Sequence, residues 1–144
     1  MVTVTLSDRH KDIYRRVIAA VSEGKPSTLD DLLAPDLVDH NPVPDQPPGR
    51  DGFKAWMAAA RSSFPDFSGT VEAVLGEDDL VAGHVIWRGT HRGPFLGLPP
   101  SGREVSIDAF HIVRFSSERI AEWWGNADLL GVVNQIGGRI KPSD

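Results

Sequence analysis

The stretch Ile107-Asp108-Ala109-Phe110-His111-Ile112-Val113-Arg114-Phe115, followed by Arg119-Ile120-Ala121-Glu122-Trp123-Trp124-Gly125-Asn126-Ala127-Asp128, decides the fold of this chain. It reads as two adjacent antiparallel strands. With Ser117 and Glu118 as the central turn residues, Ser116 faces Arg119 and Phe115 faces Ile120. The same register sets Val113 against Glu122, His111 against Trp124, Ala109 against Asn126 and Ile107 against Asp128. Side chains alternate along a strand, so these project to one side of the sheet. That side is mostly apolar and carries His111, Trp124, Asn126 and Asp128. The other side holds Ser106, Asp108, Phe110, Ile112, Arg114, Ala121 and Trp123. One side packs on helices or lines a cavity, and the other is a candidate subunit interface. A slip of one residue would exchange the two faces.

Working outward, two more strands precede this pair. Gly69 to Leu75 and Leu80 to Thr90 alternate with period two around the turn Gly76-Glu77-Asp78-Asp79. A Gly/Pro-rich excursion runs from His91 to Arg103, and the third strand starts near Glu104. Upstream the period is helical. Ser7 is a candidate N-cap for a helix whose stripe is Ile13, Tyr14, Val17, Ile18 and Val21. Gly24 and Pro26 end it. Thr28 is read as capping a short second helix that stops near Pro35. Asp39 to Asp51, with Pro42, Pro44, Pro47 and Pro48, is read as loop. A third helix spans about Asp51 to Ser63, and a last turn or two of helix carries Leu129, Leu130, Val133 and Ile136. Helices followed by meandering antiparallel strands predict an α+β domain with helices on one face of the sheet.

The chain's 144 residues form one domain, 1–144, large enough to bury a core without staples. It has no cysteine, which removes disulfides and thiolate metal sites and fits a cytoplasmic location. The N-terminus lacks a basic region followed by a long apolar run, so no secretory signal is expected. No apolar run approaches the roughly 20 residues that span a bilayer, so no membrane is expected as partner. Fifteen basic and 20 acidic side chains give a net charge of −5, which argues against nucleic acid. No pair among His10, His40, His84, His91 and His111 has the i, i+4 spacing of a helical zinc site, so no metal is expected.

The candidate chemistry lies on the face of His111 and Asp128. Burial raises a carboxylate's pKa and lowers a histidine's. A carboxylate moved toward neutrality beside an imidazole suits general acid/base work near neutral pH. Asp128 reads equally as the N-cap of the closing helix, and His111 as a core histidine bonded to a neighbour. His40 and Asn41 read as a polar loop anchor or as groups at a pocket mouth. His91 reads as an anchor of the 91–103 loop or as a ligand contact. His84 lies mid-strand. Tyr14 packs the first helix or donates to a bound carbonyl. Trp56, Met57, Phe64 and Trp124 are core residues that would also wall a pocket.

Several segments together resemble the SnoaL-like polyketide cyclase family, within the group sharing the cone-shaped fold of nuclear transport factor 2. They are Asp39-His40-Asn41-Pro42, Phe64-Pro65-Asp66-Phe67, Gly89-Thr90-His91-Arg92-Gly93, Leu98-Pro99-Pro100-Ser101-Gly102-Arg103, Ile120-Ala121-Glu122-Trp123-Trp124 with Asp128, and Gln135-Ile136-Gly137. The resemblance implies a curved antiparallel sheet, about three N-terminal helices on its concave face, and a conical apolar pocket. It implies a homo-oligomer, dimer or tetramer, acting on a small hydrophobic molecule without metal or organic cofactor. It places a catalytic acid/base at Asp128, with His111 as the partner on the neighbouring strand. It makes His40, Asn41, Tyr14, Trp56, Met57, Phe64, His84, His91, Trp124 and Asn126 candidate substrate contacts. Ring closure of a carbonyl compound by aldol chemistry is the leading activity. A steroid-isomerase-like or epoxide-hydrolase-like enzyme of the same fold and a non-catalytic binding or dimerisation module are the alternatives.

Overall fold

The computed structural model describes residues 3–143. The first helix, α1 (Leu6–Glu23), is capped by Thr5, two residues before the expected cap Ser7. Thr5 accepts from the Asp8 N–H at 3.0 Å, and the Asp8 carboxylate accepts from the Thr5 N–H at 3.2 Å. This reciprocal cap satisfies two N–H groups that the helix itself cannot pair. The helix ends at Gly24 in the left-handed conformation, φ 68°. Its buried stripe includes Tyr14, Val17, Ile18 and Val21, as the spacing predicts.

The next segment departs from the expectation. Pro26–Asp31 forms a 3₁₀ helix, and Leu33–Asp39 is a strand, β1. Pro35 and Asp36 hide it in the sequence, because they break the alternation. A proline is tolerated there because β1 is an edge strand. Then come α2 (Gly49–Ser63), β2 (Ser68–Glu77), β3 (Leu80–Thr90), β4 (Glu104–Ser116), β5 (Arg119–Ala127) and α3 (Leu129–Gln135).

The five strands form one sheet in the order β1-β5-β4-β3-β2. β2 to β5 are antiparallel neighbours, as alternation predicts. β1 runs parallel to β5, so the sheet is mixed rather than wholly antiparallel. α1 lies against β2 and β3, and α2 against β1. Between helices and sheet lies one apolar core, with Val81, Val85, Val113 and Ile120 from the strands meeting Tyr14, Val17 and Leu29.

The last hairpin turns at Ser117 and Glu118, with Ser116 opposite Arg119 and Phe115 opposite Ile120. Beyond that the expected register fails by one residue. Arg114 pairs with Glu122, so Ala121 is an extra residue, a β-bulge. Past the bulge, His111 pairs with Gly125, Ile112 with Trp124 and Phe110 with Asn126. The bulge exchanges the faces of β5, so Trp123 turns inward and Trp124 and Asn126 turn outward.

Candidate active site

His111 lies on the inner face of β4, flanked in the sheet by two glycines, Gly83 of β3 and Gly125 of β5. Glycine inside a strand marks a close approach, and both positions show one. A methyl group at Gly83 would overlap the Tyr14 phenol. With no side chain there, Tyr14 settles on the strand and its Oη comes 2.7 Å from His111 Nδ1. A Cβ at Gly125 would stand 3.1 Å from His111 Cδ2 and 3.1 Å from Trp123 Nε1. Glycine there keeps the space beside the imidazole Cδ2 free of a side chain from β5.

Trp123 completes the cluster, with its ring centroid 4.8 Å from that of His111 and 6.1 Å from that of Tyr14. Phe53 of α2 packs edge-on to Trp123. Trp56 meets Phe67 and Trp87 edge-on, and Met57 and Phe64 are buried core. The space expected as a conical pocket is thus occupied around His111 by aromatic side chains. Burial sets the electrostatics. It lowers the His111 pKa to about 4 and raises that of Tyr14 above the ordinary phenol range. At neutral pH the pair is an uncharged imidazole and an uncharged phenol. His111 keeps 9 % exposure.

The other expected site residues divide. Asp128 does not share the inner face with His111. It is exposed at the corner between β5 and α3, where its Oδ1 accepts from the Gly131 N–H at 2.8 Å and caps the helix. It lies three positions beyond Gly125, about 10 Å of strand. Asn41 reaches across to β5, and its Oδ1 accepts from the Gly125 N–H at 3.0 Å. It therefore fixes the backbone opposite His111 rather than bonding its own loop. His40 stacks on Trp124 at 4.3 Å and pairs with Glu122 at 3.1 Å. His84 stacks on Phe110 at 4.4 Å and pairs with Asp108 at 2.7 Å. These groups, with Asn126, lie on the outer face. The shifted register is the reason for Trp124 and Asn126, and strand parity for His84. His91 is fully buried and ties the 91–103 loop shut, with its Nδ1 accepting from the Ser101 N–H at 3.1 Å. Among the described residues no three His, Asp or Glu side chains gather as a metal site would need, and no helix is long and apolar enough to cross a membrane.

The family model for the SnoaL-like polyketide cyclase matches residues 11–136. The chain is 26% identical over 132 residues to aklanonic acid methyl ester cyclase DauD of Streptomyces sp. (strain C5), covering 88% of this chain and 80% of that one. It is 24% identical over 125 residues to nogalonic acid methyl ester cyclase of Streptomyces nogalater, covering 84% and 92%. Among solved structures, TsrD from Streptomyces laurentii superposes with a TM-score of 0.84 at 30% identity, covering 91% of this chain and 96% of that one. IdmH from Streptomyces antibioticus gives 0.79 at 32% identity, covering 89% and 98%.

Proposed function

Because the chain belongs to the SnoaL-like polyketide cyclase family, we propose that it closes a ring in a small hydrophobic carbonyl compound by cofactor-independent acid/base chemistry. The observation that carries this reading is the buried Tyr14–His111 pair, 2.7 Å apart, beneath Trp123. In the reaction a base takes the proton alpha to one carbonyl. The enolate carbon then bonds to the carbon of a second carbonyl, and the resulting alkoxide is protonated. The proton removed is the proton returned, so no atom is gained or lost.

The neutral imidazole accepts a proton at Nε2 when its Nδ1–H donates to Tyr14 Oη; burial makes it a weak base, and its low pKa makes the charged form a willing donor to an alkoxide. Tyr14 holds the ring through Nδ1. Asp128, at the position where the family carries its acid/base, is the second proposed proton-transfer group. About 10 Å of strand separates it from Gly125, beside His111, so a multi-ring substrate meets both by parting the aromatic side chains packed around the imidazole. Apolar walls fold such a substrate and supply the proximity that a cyclisation needs. The same reading places the enzyme in the cytoplasm and makes it a homo-oligomer. A second copy would cover the outer sheet face, where Phe110 is 57% and Ile112 48% exposed.

A second reading, a non-catalytic module that binds a small molecule, is favoured by Asp128 being exposed and engaged as a helix cap. One experiment separates the two. The protein is incubated with aklanonic acid methyl ester, the acid ester named for its relatives, and the product is followed by chromatography with mass detection. Ring closure gives an isomer of unchanged mass. His111→Ala and Asp128→Asn should each slow the reaction by about a hundredfold or more. Equal rates in wild type and both variants would sink the assignment. Binding without any isomer would support the second reading.

A further inference from the structure

Four exposed apolar side chains, Leu96, Leu129, Leu130 and Ile140, line one groove of about 330 Å³ between the 91–103 loop and α3. Such clustering is unlike the scattered apolar residues of an ordinary surface. The volume lies in the range of small-molecule sites. Leu98 and Val133 also line it, and both pack so closely on Gly138 that a Cβ there would collide with them.

Hydrogen bonds tie α3 to the strand and loop beside it. The Gln135 side chain accepts from the Ser106 N–H at 2.8 Å and donates to the Ser106 carbonyl at 2.9 Å. Arg103 Nη1 donates to the Gln135 carbonyl at 3.1 Å. These bonds clamp α3 to β4 and to the end of the loop. The opposite wall ends in a tight turn, where Phe95 bridges to Leu98 around Leu96 and Gly97. Both central residues have positive φ, 50° and 76°. Turns of this kind favour Asn or Gly at the first position, and a left-handed leucine brings its Cβ too close to the following carbonyl oxygen. Leu96 stands there against local preference, and its side chain lines the groove.

Among the lining residues Arg139 alone carries a charge, and it joins none of the ion pairs found among the described residues. We propose that this groove binds a small molecule with an apolar body and one carboxylate. The body lies along the leucines and the carboxylate pairs with Arg139. The site is distinct from the His111 interior, and its occupancy does not depend on any turnover there.

The test is a fluorescence titration with 2-naphthoate and with methyl 2-naphthoate, which share an apolar body and differ in charge. Wild type should bind the carboxylate about tenfold tighter than the ester. Arg139→Gln should erase that preference and leave ester binding in place. Leu130→Asp, at an exposed position, should weaken both while leaving the melting temperature near that of wild type. Tyr14→Phe, a change in the interior, should alter neither. Equal affinity for acid and ester, or a preference that survives Arg139→Gln, would overturn the proposal. So would the absence of binding. Loss of binding in Tyr14→Phe would place the ligand in the interior instead. Self-association abolished by Leu130→Asp would make a second copy the occupant.

Discussion

Tyr14 Oη lies 2.7 Å from His111 Nδ1, and Gly83 is the residue that lets it lie there. The contact ties the first helix to the fourth strand. It makes one polar pair inside a wall of aromatic and aliphatic side chains. Both members are buried, so both are held uncharged at neutral pH, and the stability of the fold is tied to their protonation.

Stability should fall with acid through His111. Its folded pKa is about 4, against about 6.5 for a free imidazole. Below pH 6.5 the unfolded chain takes up a proton that the folded chain refuses. The stabilisation is therefore fully present above 6.5 and is lost as pH falls toward 4, by roughly 3 kcal/mol in all. Urea unfolding at pH 7 and pH 4.5 should show the loss, and His111→Gln should reduce its slope.

Tyr14 is the only tyrosine, so tyrosinate absorbance reports on it alone. Burial raises its pKa. The folded protein should show no tyrosinate at pH 10, where a free phenol is half ionised. The stabilisation is complete below 10 and declines above it, so ionisation should coincide with unfolding. Tyr14→Phe should cost about 1–3 kcal/mol, because it leaves a buried polar nitrogen without its partner.

Gly83→Ala should break the pair without touching either member. The added methyl overlaps the phenol, and overpacking of this kind costs about 1–3 kcal/mol. The expected readout is lower stability together with tyrosinate appearing at lower pH than in wild type. Unchanged titration would show that Tyr14 does not rest on Gly83.

Only part of this site is legible in the sequence, and the rest stays hidden for definite physical reasons. Strand parity places His111 inward on β4, and the hairpin turns at Ser117-Glu118 as the sequence predicts. One extra residue, Ala121, then reversed the faces of β5. A bulge leaves no mark in an alternating pattern when Trp123 and Trp124 are both apolar. For Tyr14 the sequence offers a place in the helical stripe or a donor to a bound carbonyl, whereas its pairing with His111 depends on tertiary contact. Gly83 and Gly125 carry the signal for it, since a glycine inside a strand marks a close approach to the backbone. β1 was hidden by Pro35, and an edge strand paired parallel to the last strand in the chain cannot be read from local alternation.

The outer face should govern self-association. Phe110 and Ile112 are exposed beside the Trp124–His40 and Phe110–His84 stacks. Phe110→Asp puts a charge at that centre while leaving the inner core alone. Sedimentation should then show a monomer where wild type sediments as an oligomer, with little change in the unfolding midpoint of the monomer. A wild type that is monomeric at high concentration would remove this role from the face.

Asp128 is the residue where structure and chemistry can be separated most directly. Its carboxylate accepts from the Gly131 N–H at 2.8 Å, and asparagine caps helices about as well as aspartate. Asp128→Asn should therefore keep α3 and the melting temperature. Asp128→Ala should lose about 1 kcal/mol. If Asp128 transfers a proton, both variants lose ring closure alike although only one loses stability. If it is a cap alone, any loss of function follows stability, and Asp128→Asn behaves as wild type. Measuring the unfolding midpoint and the rate on the same three proteins decides between these outcomes.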